Sequence, residues 1–231
     1  MNEVYRQEKK FLISMSQYYS MSNRISHILK PDSYSSGDGY TIRSLYFDDI
    51  DDTDFEDKQN GIEVRRKIRL RNYGPDTPFA LLEMKQRQGW VQKKRSLKIS
   101  KEEARIMASG NYSSLLKHND PFADECFALM NMRCYRPKAV LSYTRKVFVA
   151  KENRIRVTFD HHIKGTESNF DIFAADLPEN MFLGYDVAVL EVKFNTFLLN
   201  HIREVLSECD RSEKAISKYC FSRTLSKHYL F

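Results

Sequence analysis

The chain has 231 residues, 42% apolar and 29% charged, and its 37 Lys and Arg exceed its 31 Asp and Glu for a net charge of +6. That is enough for a substantial core in one domain over residues 1–231, and too modest an excess to mark a general polyanion coat. Cys126, Cys134, Cys209 and Cys220 lack metal-ligand spacing, and a chain this long needs no disulfide staples, so a cytoplasmic protein with reduced thiols is expected. No stretch reads as a signal peptide or a membrane span, so membrane association would come only through a partner protein.

In chain order, residues 4–13 read as a strand and Ser16–Lys30 as a helix ended by Pro31. A loop runs to Gly39, Thr41–Asp48 reads as a strand, and the acidic stretch Asp49–Asn60 fits a short helix before Gly61. Glu63–Tyr73 is a strand stopped by Gly74-Pro75. Phe79–Arg87 and Trp90–Ile99 form a hairpin across Gln88-Gly89. Ser100 caps a helix, with Glu103 completing a capping box. Pro121–Met132 is a helix, and Arg136–Ala150 with Arg154–Asp160 makes a second hairpin. Residues 164–184 give no clear pattern. Ala188–Phe194 is a strand, and Thr196–Cys209 and Ser212–Leu225 are helices. This is an α+β chain with about eight mostly antiparallel strands, enough to close a barrel with a polar interior.

The strands share one design. A strand sends successive side chains to opposite faces. In residues 63–71 this puts Glu63, Arg65, Lys67, Arg69 and Arg71 on one face, and Val64, Ile68 and Leu70 on the other with Arg66. Arg6-x-Glu8-x-Lys10, Glu83-x-Lys85, Lys93-x-Arg95, Arg154-x-Arg156 and Glu191-x-Lys193 repeat the pattern. Like charges two apart on a strand sit about 7 Å from each other, and each pair costs roughly 2 kcal/mol at an effective dielectric near 20 but about 0.6 in water. A wet face tolerates that, and a concave one calls for an anion. The opposite faces carry Leu82 and Met84, Val157 and Phe159, and Leu190 and Val192, which need helices over them. Helices outside and charge inside favour a tunnel. Glu8, Glu83 and Glu191 each precede a Lys by two, so acids sit among the cations. A nucleic-acid groove has no use for such acids, whereas a metal ion with a phosphate chain needs both signs. GxxxxGK[ST] and GxSxG are absent, and His161-His162 reads as a surface turn.

Taken with Ser44-Leu45-Tyr46-Phe47-Asp48, Tyr143-x-Arg145 and Ser217-Lys218-Tyr219, this ordered set resembles the VTC-type polyphosphate polymerase domain of the triphosphate tunnel (CYTH-like) superfamily, in the single-domain bacterial form. The resemblance implies an eight-stranded antiparallel barrel with helices packed outside and a C-terminal helix closing one end. It also implies a divalent ion, Mn2+ or Mg2+, and ATP with inorganic polyphosphate or tripolyphosphate as partners. By position, Glu191 and Glu8 would be the metal ligands. Arg69, Arg71, Arg156 and Lys218 would be catalytic. Lys10, Lys67, Lys85, Lys93, Arg95, Arg145 and Lys193 would hold phosphate. Polyphosphate synthesis, triphosphate hydrolysis and non-catalytic polyphosphate binding all use such a cradle, although a retained metal ligand such as Glu191 speaks against pure binding.

Overall fold

Alternating apolar and charged side chains shape both halves of the sheet. The computed structural model describes residues 6–35, 37–89, 91–209 and 217–228. Its strands are β1 (Arg6–Ser14), β2 (Lys30–Pro31), β3 (Tyr40–Asp48), β4 (Val64–Asn72), β5 (Phe79–Gln88), β6 (Val91–Ser100), β7 (Arg136–Val149), β8 (Arg156–Thr166), β9 (Asn180–Met181) and β10 (Val187–Asn195). The helices are α1 (Met15–Ser26), α2 (Thr53–Gln59), α3 (Lys101–Ala108), α4 (Pro121–Met132), α5 (Asn200–Leu206) and α6 (Lys218–His228). Hydrogen-bonded neighbours follow the order β1-β10-β8-β7-β3-β4-β5-β6, with β2 on β7 and β9 on β8. The α+β class and the antiparallel sheet are as expected. The closed eight-stranded barrel is not formed: the described strands make an open path ending at β1 and β6. Exposed Lys93, Lys94 and Lys98 on β6 give it the kind of edge that resists further pairing.

The chain divides into two compact units of interleaved segments: Met1–Thr41, Tyr143–Ile163 and Leu183–Ser217, and then Ile42–Ser142, Lys164–Phe182 and Lys218–Phe231. In the first, α1 and α5 cover the apolar face of β1, β10 and β8. Tyr18, Met21, Ile25, Ile202 and Val205 pack there with Val157, Phe159, Leu190 and Val192. In the second, α3 and α4 cover β4, β5 and β6, with Met107, Ala123, Cys126 and Met130 against Ile68, Leu70, Leu82, Met84 and Ile99. The Val, Leu, Ile, Phe and Met side chains among them each stabilise by about 1.5–3 kcal/mol when fully buried, so these contacts fix which face of each strand is left for charge.

Local signals place the covering helices. Ser100 and Glu103 form the anticipated capping box before α3. Asp120 accepts the N–H groups of Phe122 and Ala123, and Pro121 opens α4. The helix expected from Thr196 starts only at Asn200. Thr196 has φ +60°, and Phe197 N–H bonds to the Asn195 carbonyl, so the chain first turns sharply out of β10. The helix expected over Ser212–Leu225 is seen from Lys218, and residues 212–216 lie outside the described residues. No helix among the described residues is long and apolar enough to cross a membrane. The four cysteines are free thiols.

Candidate functional site

The second unit concentrates cations on one face by strand register. Lys67 lies opposite Lys85, and Lys85 opposite Lys94, giving a row of three lysines across β4, β5 and β6. Like charges directly opposite one another destabilise a sheet. In the next row Arg69 stands between Tyr46 and Glu83, and Arg71 stands between Ser44 and Leu81.

Glu83 is the acid at the centre of this face, and it is buried. Its Oε2 accepts Arg69 Nε at 2.7 Å and lies 2.7 Å from Arg69 Nη2. Arg71 Nε is 3.9 Å from the same oxygen, and Lys94 holds Oε1. Burial pushes the Glu83 carboxyl up, but Arg69, Arg71 and Lys94 outweigh it and hold the pKa down at about 2.

On its other side Arg69 Nη1 donates to the Tyr46 hydroxyl at 2.9 Å. The Tyr46 ring stacks on Tyr219, with centroids 4.9 Å apart and planes 17° apart. Tyr219 donates to Asp48 Oδ2 at 2.7 Å, and Asp48 also accepts the N–H groups of Asp54 and Phe55 at the start of α2. Lys67 Nζ lies 5.6 Å from the Tyr219 ring centroid. Lys218, half-buried, precedes Tyr219 in the first turn of α6. Burial raises the Tyr46 phenol, but the charges of Arg69, Arg71 and Lys67 leave it below its ordinary value.

Two expected phosphate ligands are misplaced by one residue of register. Lys93 lies opposite Gln86 and Arg95 opposite Met84, on the face that α4 covers. Arg95 pairs with Glu125 of α4 and lies 4.9 Å from the Phe122 ring centroid. Lys94 and Lys98, opposite Lys85 and Leu81, occupy the cationic face instead. The signal was present: Leu97 and buried Ile99 share the parity of Lys93 and Arg95 and mark the core side.

The first unit carries the second charged face, and there the signs balance. Glu8 lies opposite Lys193, which lies opposite Arg156; Lys10 lies opposite Glu191, which lies opposite Thr158. Between β1 and β10 the result is a checkerboard; across to β8, Lys193 meets the like charge of Arg156. Lys10 Nζ is 2.8 Å from Glu8 and 4.0 Å from Glu191, and Lys193 pairs with Glu191 and stands 3.7 Å from Glu8. Arg156 Nη2 is 3.1 Å from Asp32, whose other oxygen accepts Tyr34 and Ser35 N–H groups. Arg145 grips buried Asp160 through two bonds of 2.7 and 2.8 Å. Burial disfavours the Arg145 charge, but Asp160 outweighs that and holds its pKa well above the ordinary value. His161 is buried against Tyr18, with its Nδ1 2.9 Å from that of His162, so the pair is not the surface turn expected.

Among the described residues no three His, Cys, Asp or Glu side chains form a metal-binding group. Glu8 and Glu191, joined by shared lysines, fit a looser arrangement. Mg2+ commonly binds one or two carboxylates and completes its shell with water and substrate phosphate oxygens.

The fold is also found in the crystal structure of a candidate adenylate cyclase from Bacillus halodurans. The two are 15% identical, the match covers 92% of this chain and 97% of that one, and the TM-score is 0.51. A candidate adenylate cyclase from Vibrio parahaemolyticus is 11% identical over 97% of this chain and 99% of that one, with a TM-score of 0.49. No curated protein matches the chain. The family model of the VTC domain matches residues 5–227 and so takes in the strands of both charged faces; this chain belongs to the VTC domain family.

Proposed function

We propose that this chain is a metal-dependent phosphotransferase acting on a triphosphate or polyphosphate, and that its reaction is inorganic polyphosphate synthesis from the γ-phosphate of ATP. The cationic face of the second unit carries the reading: a row of three lysines beside two arginines is the arrangement a phosphate chain relieves. Membership of the VTC domain family supports it.

Phosphoryl transfer asks the protein for positioning and charge neutralisation more than for covalent chemistry. Lys67, Lys85 and Lys94 hold phosphate oxygens along the chain, and Arg69 and Arg71 stabilise charge on the transferring group. Lys10, Lys193 and Arg156 serve the first unit's face, and Lys218 contacts a terminal phosphate. Glu191, helped by Glu8, would hold Mg2+ or Mn2+, which when bound would supply positive charge to substrate phosphate. The bond between the γ-phosphorus and the β–γ bridging oxygen breaks, a bond to a terminal polyphosphate oxygen forms, and ADP leaves. The attacking oxygen is already ionised, so no strong general base is needed.

The test is to incubate the pure protein with ATP and Mn2+ or Mg2+. A ladder of long polyphosphate on a gel is the expected outcome. Free phosphate from ATP or tripolyphosphate without a ladder would make the protein a hydrolase. Saturable tripolyphosphate binding with neither product would make it a binding module.

A further inference from the structure

The Tyr46 hydroxyl, on β3, borders the cationic face and is none of the charged groups that make it. It accepts from Arg69 Nη1, while Glu83 takes Nε and approaches Nη2 of the same guanidinium. Arg69 is therefore clamped from two strands, by Tyr46 of β3 and by Glu83 of β5. A guanidinium held at both edges has a fixed plane, and a planar fork loses its directional advantage when it can rock.

The second contact of Tyr46 reaches α6. Its ring stacks on Tyr219, and Tyr219 is fixed in turn by its bond to Asp48 and by Phe55 packing edge-on at 6.3 Å. Asp48 accepts N–H groups at the start of α2 with the oxygen pair that also receives Tyr219. One buried carboxylate thus anchors α2 and α6 together. We propose that Tyr46 is a positioning residue that sets the Arg69 guanidinium for phosphoryl transfer and, through its stack on Tyr219, makes that setting depend on α6 being docked. This deepens the function proposed above and rests on it for the catalytic half. The docking half rests on contacts within the second unit alone.

Two measurements separate the halves. The first is turnover and tripolyphosphate affinity, by a product assay with ATP and by calorimetry, for wild type and Tyr46→Phe. The phenylalanine keeps the stack and removes the hydroxyl. Loss of one hydrogen bond to a charged group predicts turnover about tenfold lower. Affinity should stay within about twofold, because Glu83 still holds Arg69 on the face. A merely structural role would move both together with the melting temperature. Turnover equal to wild type in Tyr46→Phe overturns the positioning role.

The second measurement needs no activity. Amide hydrogen exchange over residues 218–228 is followed in the ligand-free protein for wild type, Tyr46→Phe, Tyr46→Leu and Tyr219→Phe. Exchange in α6 should be faster in Tyr46→Leu, which loses the stack, by about tenfold, and near wild type in Tyr46→Phe. Tyr219→Phe, which keeps the stack but loses Asp48, should fall between them. Unchanged α6 exchange in Tyr46→Leu overturns the coupling, whether or not the wild type makes polyphosphate.

Discussion

The two charged faces solve opposite problems. On the first unit, Glu8 and Glu191 alternate with Lys10 and Lys193 both along and across the strands, and Arg145 and Arg156 each have an aspartate. On the second, Glu83 is the buried acid facing Arg69, Arg71 and Lys94, and a row of three lysines adjoins it. A balanced face is stable by itself and offers paired carboxylates, the ligands a hard cation takes. A cation-rich face is strained by itself and is relieved by an anion. Under the proposed function the balanced face is the one suited to a metal and the cation-rich face the one suited to a phosphate chain, a division that a count of total charge could never reveal.

Removing Glu83 attacks the contrast most directly. Its folded pKa lies near 2, below the ordinary 4.5, so its stabilising share is present above pH 4.5 and is lost as pH falls toward 2. That depression corresponds to about 3 kcal/mol. Glu83→Gln should lower unfolding free energy at pH 7 by about 3–5 kcal/mol, because it leaves arginines without their buried acid. Urea unfolding measures this. Tripolyphosphate should then raise the melting temperature of the mutant more than that of wild type, since the ligand takes over neutralisation. A mutant as stable as wild type, or one indifferent to tripolyphosphate, would mean that the face is not an anion cradle.

On the balanced face the same kind of substitution should act on chemistry and not on the fold. Glu191→Gln keeps the side chain's shape, and although Glu191 is buried, its partners Lys10 and Lys193 are partly exposed and keep Glu8, so the cost in stability should be below that of Glu83→Gln. Turnover, in contrast, should fall about a hundredfold, and excess chelator should abolish it in wild type. Full activity in Glu191→Gln would take the metal away from this face.

The arginines sharpen the comparison further. Arg69→Ala and Arg71→Ala should each weaken tripolyphosphate binding by roughly tenfold to a hundredfold, the worth of one charge-assisted contact. Arg156→Ala should do less, because Arg156 has Asp32 to itself on the balanced face, whereas Arg69 and Arg71 share the single buried acid Glu83 with Lys94. Calorimetry giving all three the same loss would erase the distinction between the faces.

Much of this was legible in the residues. Alternation in β4 separates Lys67, Arg69 and Arg71 from buried Ile68 and Leu70, as the period of a strand demands. Ser100 with Glu103, and Asp120 before Pro121, announce their helices through side chains that satisfy backbone donors. Other features depend on contacts that no local pattern carries. The phase of Lys93-Lys94-Arg95 is the exception: the three cations alone fit either face, but the parity of Leu97 and Ile99 along β6 marks Lys94 as the one on the cationic side. The left-handed turn at Thr196 delays α5, although threonine rarely adopts that conformation. Tyr46 reads as an ordinary strand aromatic until Tyr219, from a distant helix, is stacked upon it.

The smallest effect belongs to that choice of phase. Lys94 touches Glu83 and stands opposite Lys85, but its side chain is 52% exposed, so solvent screens much of what it does. Lys94→Ala should weaken tripolyphosphate binding by about threefold to fivefold, and the loss should shrink as salt is raised. Lys93→Ala, one residue away and on the other face, should leave affinity unchanged. Arg95→Ala should also spare affinity while lowering stability, since it removes the partner of Glu125 and the cation over Phe122. Each variant deletes one positive charge, so a general electrostatic attraction would make all three weaken binding alike. Only a face-specific cradle makes the middle one of three neighbouring cations the one that matters, and a titration in which Lys93→Ala or Arg95→Ala loses as much as Lys94→Ala would return phosphate binding to bulk charge.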